Sequence, residues 1–311
     1  MTDDALDQAR AVLDQLPIFS GIDPASVKLE RLGGLTNLVF RVSSGERAWC
    51  LRIPGKGTEE YIDRKNEAKA ARETAKAGVS PELLFVDPNS GIMVTAFIED
   101  TITMTPKAFA QRKGAAARAG EAFRKLHHSG AKFDFRFELF AMIDDYLKIL
   151  SGKTVDLPEG YHQVLGEAET LRAALAAHPL PLAPCHCDPL CENFLDTGSR
   201  MWMVDWEYSG MNDPLWDLGD LSVEGAFSEA QDHEMLCAYF GREPAPGEQG
   251  RMVIYKAMCD LLWTLWGLIQ HANKNPVDDF WAYSTERFER CKSLMGSKDF
   301  MGHVSAVRAG P

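Results

Sequence analysis

Three oxygen-bearing side chains stand at a spacing that could serve one divalent cation and one proton transfer. In "CHCDPLCENFLD", Cys185 to Asp196, Asp188 precedes Asn193 by five positions, and Asp205 follows the apolar run "MWMV". In phosphoryl transfer from a magnesium nucleotide, one Asp takes the proton of the attacking hydroxyl, while an Asn and a second Asp hold the metal that bridges the phosphates. The rival chemistry is soft-metal binding by Cys185, His186, Cys187 and Cys191. Structural zinc sites draw their ligands from two knuckles separated by a longer loop, and consecutive residues cannot all turn inward to one ion, so the spacing speaks against zinc. Asp and Asn in ordinary turns are the bland reading of the same letters.

A phosphotransferase needs further groups, and each has a candidate. "LGGLTN", Leu32 to Asn37, places Gly33 and Gly34 at a strand turn, with Thr36 and Asn37 beside them. Backbone amides can approach phosphate oxygens there without a Cβ in the way, although a hairpin turn needs glycine too. A cation on the following strand, held by a helix carboxylate, must set the α and β phosphates. Arg52 in "AWCLRIPG" and Glu67 in "RKNEAKAARE" fit those places. Arginine forks onto phosphate and carboxylate together, so it can stand where many kinases use lysine. In "VTAFIED", Val94 to Asp100, Ala96 and Ile98 are the expected backbone contacts of an adenine.

The other half of a transfer site is the acceptor pocket. Trp263 and Trp266 in "YKAMCDLLWTLWGLIQHAN" lie one turn apart and share a helix face. They are either core residues or the walls of a cage for a cation that has no N–H to donate. Glu207 and Tyr208 follow Asp205 closely enough to face the same cleft as charge partner and aromatic wall. Trp281 and Tyr283 are expected to pack across the helical part, and His127 and His128 to interact with the dipole of the helix they end.

The elements that must position these groups follow from the patterning. Alternation in Val39 to Val42 and in Ala48 to Ile53, with "SSGE" between, predicts antiparallel strands, and "ELLFVDPNSGIMVTAFIE" predicts a hairpin. "YIDRKNEAKAARETAKAG" predicts a helix stopped at Gly78. Beyond Glu99 the pattern is mostly helical. Strands first and helices second imply an α+β chain with a β-rich lobe over residues 1–98 and a larger α-rich lobe over 99–311. A composition of 45% apolar and 25% charged residues excludes disorder, and a net charge of −12 disfavours nucleic acid as a partner. The acidic start and the seven cysteines without paired spacing predict a cytoplasmic protein with reduced thiols. The apolar stretch from Ala257 is expected to be too short to insert in a membrane.

"HCDPLCEN", "VDWEYSG" and "DPLWDLGDL" resemble the choline/ethanolamine kinase family, within the aminoglycoside-phosphotransferase-like branch of the protein-kinase-like fold, and the likeness runs from about Leu32 to Arg290. The resemblance implies a bilobed fold with Asp188 as catalytic base and Asn193 and Asp205 as Mg2+ ligands. It implies that His186 orients the loop and that Asp217 braces it. "LLWTLWGLIQ" resembles the family helix whose paired Trp line the choline pocket, and Arg at the strand position also matches that branch. The expected activity is ATP- and Mg2+-dependent phosphorylation of a small cationic alcohol, choline first, with ethanolamine, thiamine or an aminoglycoside as other acceptors. A non-catalytic nucleotide-binding module is the alternative of another class. The sequence carries no mark of an oligomeric state.

Overall fold

The computed structural model describes residues 2–33, 37–55, 58 and 62–310. Ala9 and Leu13 lie on the buried side of the opening helix α1 (Thr2–Leu13) and bring it against a sheet. That sheet contains β1 (Lys28–Gly33), β2 (Leu38–Ser44), β3 (Arg47–Ile53), β4 (Leu83–Val86) and β5 (Met93–Ala96), with all neighbours antiparallel in the order β1-β2-β3-β5-β4. Side chains alternate across a strand. Trp49, Leu51 and Ile53 of β3 join Phe40, Val42 and Val94 in the core with α1, which leaves Cys50 and Arg52 on the other face.

The other face receives α2 (Arg64–Lys76). Asp63 caps its start by accepting from Lys65 N at 2.9 Å and Asn66 N at 3.2 Å. Gly78, at φ 64°, ends it as the sequence predicts. The hairpin between β4 and β5 turns on Asp87, whose carboxylate accepts from Asn89 N and Ser90 N.

After β5 the chain is mostly helical. Its helices are α3 (Pro106–Gln111), α4 (Ala115–His127), α5 (Leu139–Ser151), α6 (Tyr161–Ala177), α7 (Leu215–Glu224), α8 (Glu229–Phe240), α9 (Pro246–Ala272), α10 (Phe280–Met295) and α11 (Phe300–Ala309). Two small antiparallel sheets are set among them. β6 (Ile102–Thr103) pairs with β8 (Phe194–Asp196), which pairs with β9 (Met201–Met203). β7 (Ala183–Cys185) pairs with β10 (Gly210–Asn212).

The apolar stretch from Ala257 is longer than expected, because it belongs to the 27-residue α9, which is long and apolar enough by length and composition to cross a membrane. Its most apolar window is 78% buried inside the protein, and it packs against α7, α10 and α11. That burial accounts for its hydrophobicity as a core helix. Helix α10 approaches so closely that a Cβ at Gly267 would fall 2.3 Å from Ser284 Oγ and 2.6 Å from Tyr283 Cδ1. Glycine at 267 is what seats the Tyr283 ring against α9.

Candidate active site

Strand β7 ends at Cys185 and β8 begins at Phe194, so residues 186–193 form a loop anchored at both ends. Asp217, in the first turn of α7, accepts from His186 N at 2.7 Å and from Cys187 N at 2.8 Å. It also lies 3.0 Å from His127 Nε2, and His127 Nδ1 is 3.0 Å from Tyr239 Oη. His127 is therefore a buried link between α4, α7 and α8, where the sequence suggested only a dipole contact at a helix end. His186 is fully buried, with Nε2 2.9 Å from the Val204 carbonyl. Burial pushes its imidazole down from the usual range, which keeps the ring neutral and makes Nε2–H the donor. Burial likewise pushes the Cys185 and Cys187 thiols up, and both face backbone carbonyls, Cys185 Sγ lying 3.7 Å from Asn212 O.

Asn193 Nδ2 donates to the Asp188 carbonyl at 3.1 Å, which closes the loop and leaves the amide oxygen to accept. Val204 N donates to the Asn193 carbonyl at 3.0 Å, so the β8–β9 pairing brings Asp205 beside Asn193 despite their separation in sequence. Asp205 and Cys187 take φ values of 67° and 68°, a left-handed conformation that costs a residue with a Cβ. Asp205 Oδ1 is buried and lacks a hydrogen-bond donor among the described residues, although Arg52 Nη2 stands 3.3 Å away. Burial pushes Asp205 up to about 7; Arg52 opposes that shift, and Glu207 and Glu67 add to it. Asp188 is also raised well above the usual carboxylate range, by burial first and then by Glu224, Asp205 and Glu207, with Arg287 opposing.

Arg52 projects from the α2-facing side of β3 into a ring of carboxylates. It bonds to Glu67 and Glu207, while Arg64 Nη1 lies 2.8 Å from Glu67 Oε2 and 3.8 Å from Glu207 Oε1. Burial alone would lower the Arg52 pKa, but Asp205, Glu67 and Glu207 outweigh it and raise the pKa. Asn37 Nδ2 also donates to Glu207. Glu207 thus lies with the ionic cluster, and not with the acceptor pocket where the sequence reading put it. A buried guanidinium claims the nearest carboxylate, and successive residues of the 205–208 turn face opposite ways.

The remaining sheet residues take varied positions. Gly33 takes φ 141°, and among the described residues no atom would come within 4 Å of a Cβ there. Gly34 and Thr36 lie outside the described residues. The Ala96 N–H already donates to Glu82 O at 2.8 Å, which leaves Ile98, beyond the end of β5, as the member of the expected adenine pair outside the strand ladder.

A chain of aromatic rings joins the segment after Asp205 to α9 and α10. Tyr208 meets Trp263 edge-on at 5.6 Å between ring centroids, Trp263 meets Trp266 at 6.5 Å, and Trp266 meets Phe280 at 5.6 Å and Tyr283 at 5.8 Å. Trp263 is buried, Trp266 is half-buried, and the Trp266 Nε1 has no hydrogen-bond partner among the described residues. Tyr283 and Trp281 both pack from α10 onto α9, as expected: Tyr283 joins this group through Trp266, and Trp281, 39% exposed, lies beside His271. Arg287 Cζ lies 4.5 Å over the Tyr283 ring, with Nη2 2.5 Å from Glu224 Oε1 and Nη1 3.2 Å from Asp260 Oδ1.

Glu224, Arg287 and Arg64 were not singled out in the sequence. Two of them had a signal: Glu224 lies two helical turns after Asp217 on α7, and Arg64 lies one turn before Glu67 on α2. Arg287 arrives from a separate helix and had none. A concavity of about 710 Å³, lined by Arg124, Lys125 and His128 among others, contains none of these residues, so it is the chemistry of the cleft that locates the site.

An antiparallel sheet joined to a helical part, with an Asp–Asn–Asp set facing a buried Arg–Glu pair, defines the class: a protein-kinase-like phosphotransferase acting on an alcohol group. The chain belongs to the phosphotransferase enzyme family, whose model matches residues 28–249, and within it to the choline/ethanolamine kinase family. A crystal structure of a choline/ethanolamine kinase family protein from Mesorhizobium loti is 67% identical, covers 98% of this chain and 100% of its own, and superposes with a TM-score of 0.90. The choline kinase LicA from Streptococcus pneumoniae is 26% identical over 93% of this chain and 99% of its own, with a TM-score of 0.77. Human ethanolamine kinase 1 is 28% identical over 86% of this chain and 67% of its own length.

Proposed function

We propose that this kinase transfers the γ-phosphate of ATP to the hydroxyl of choline. Asp188 accepts the hydroxyl proton as the oxygen attacks. Arg52, held by Glu67, steadies the nucleotide phosphates, and the glycine turn of Gly33 and Gly34 with Thr36 and Asn37 covers them. The adenine sits against the chain near Ala96 and Ile98. Asn193 and Asp205 would hold Mg2+. The orphaned Asp205 Oδ1 and an oxygen set in which Glu67, Asp205 and Glu207 lie within 4.8 Å of one another suit a hard cation. Such an ion supplies charge neutralisation between the phosphates. His186 and Asp217 keep the Asp188 loop in shape and touch neither substrate.

The observation that carries this reading is the position of Asp188. Its carboxyl feels Asp205 and Glu207 of the ionic cluster and also Glu224 and Arg287, which pair beside Tyr283, and that double neighbourhood supports a place for it between nucleotide and acceptor. On the acceptor side, Tyr208, Trp263, Trp266 and Tyr283 offer ring faces, which attract a quaternary ammonium that has no N–H to donate. Ethanolamine is the competing acceptor. Its primary ammonium requires hydrogen-bond acceptors, and one candidate on this side, Glu224, is already paired with Arg287.

Turnover with ATP and Mg2+ on choline and ethanolamine in parallel tests the proposal. A higher kcat/KM for choline supports it. A preference for ethanolamine overturns the acceptor assignment, and turnover of neither overturns the amino-alcohol reading.

A further inference from the structure

At the surface, away from the cleft, a cluster among the described residues unites three different metal-ligating side chains. His233 and Cys237 stand four residues apart on α8, hence on one face. The helix ends at Phe240, Gly241 takes the left-handed conformation at φ 69°, and its N–H closes onto the Cys237 carbonyl at 2.8 Å. That turn sends the chain back along the helix end and brings Glu243 to the same spot. Ligand atoms of all three residues lie within 4.8 Å of one another.

The separations fit a specific ion. Tetrahedral zinc, with bonds of about 2.0–2.3 Å, sets ligand atoms about 3.3–3.7 Å apart. Cys237 Sγ is 3.6 Å from His233 Nε2 and 3.5 Å from Glu243 Oε2. The third edge runs from His233 Nε2 to the other carboxylate oxygen, Glu243 Oε1, as a 2.5 Å hydrogen bond that has to open by about 1 Å for one ion to enter. The nearest competing cation is held elsewhere: Arg242 forks onto Glu248 at 2.7 and 2.8 Å and donates to the Glu243 carbonyl oxygen, leaving the Glu243 carboxylate to the cluster. His233 and Glu243 are exposed and Cys237 half-buried, so solvent reaches all three. The carbonyls at a helix C-terminus also favour a cation.

We propose that His233, Cys237 and Glu243 form a zinc-class site that ties the last turn of α8 to the segment entering α9. Sulfur and imidazole ligands select a soft or borderline divalent ion over Mg2+, so the site is distinct in chemistry from the all-oxygen cleft. Binding releases the thiol proton to solvent and leaves the remaining imidazole proton on Nδ1. Three protein ligands leave a fourth position for water.

Zinc titration of the full chain in Mg2+-containing buffer, with Co2+ substitution as a spectroscopic probe, tests the site. A thiolate-to-cobalt charge-transfer band and a zinc isotherm weakened at least about tenfold in Cys237→Ser and in His233→Ala are expected. Phosphotransfer in zinc-free buffer stays at the wild-type rate in both variants, which reports that they fold. A zinc isotherm unchanged by Cys237→Ser, or a cobalt complex without the thiolate band, overturns the proposal.

Discussion

The two sides of the cleft are built on opposite principles. On the sheet side, Arg52, Arg64, Glu67, Asp205 and Glu207 compensate one another's charge within hydrogen-bonding reach. On the helix side, Tyr208, Trp263, Trp266 and Tyr283 meet edge to face, and the charges of Glu224, Arg287 and Asp260 stand behind them. A phosphate chain with its cation demands fixed, desolvated charges of both signs. A methylated ammonium demands low-dielectric faces and no donors. On the proposed reading, the difference lets one groove hold two ligands of unlike chemistry, with Asp188 at the seam.

Breaking the seam has the largest expected effect. Asp188→Asn should lower kcat by about 10²–10⁴-fold, the range for general-base loss, with thermal unfolding unchanged. A variant retaining kcat within about threefold would remove Asp188 from proton transfer. On the ionic side, Arg52→Met leaves Arg64 as the remaining cation for Glu67, Glu207 and Asp205, three buried or half-buried carboxylates, and denaturant unfolding should record a loss of about 3–5 kcal/mol along with the activity. A loss under about 1 kcal/mol would mean that the cluster is solvated like a surface pair.

The aromatic side should respond more gently and more selectively. Trp266→Leu should raise the KM for choline by about three- to thirtyfold, the equivalent of one cation–π contact, while the KM for ATP stays put. Equal effects on both KM values would erase the distinction between the two sides. The smallest effect concerns pH. Asp205 is raised from 3.8 to about 7, so between those values the folded chain holds a proton that the unfolded chain has released, and stability falls as pH rises. Asp188 and Asp220 are raised in the same direction. Melting of the metal-free protein should therefore come at lower temperature at pH 8 than at pH 5, and the slope should flatten in Asp205→Asn. A slope identical in the variant would assign the pH dependence to other groups.

Much of the framework could be read from local pattern. Alternation in β2 and β3, the Gly78 stop and the Asp87 turn are consequences of neighbouring residues, and they appear where the sequence put them. The grouping of Arg52 with Glu67 was legible because one follows a strand period and the other opens the next helix. Long-range capture was not legible. Glu207 follows Asp205 so closely that sequence cannot tell which side of the cleft it faces, and the choice is made by a guanidinium 155 positions away. His127 reads as a helix-end residue until Asp217 arrives from α7 and Tyr239 from α8. Arg287 enters the acceptor side only through the packing of α10 on α9.

The central claim is that Asn193 and Asp205 share one divalent cation beside Asp188. Anomalous diffraction from crystals grown with Mn2+ and a non-hydrolysable ATP analogue measures this directly. The account predicts a manganese peak coordinated by the Asp205 carboxylate and the Asn193 amide oxygen, on the phosphate side of Asp188. Manganese bound by Glu67 and Glu207 without Asn193, or bound outside the cleft altogether, would contradict it.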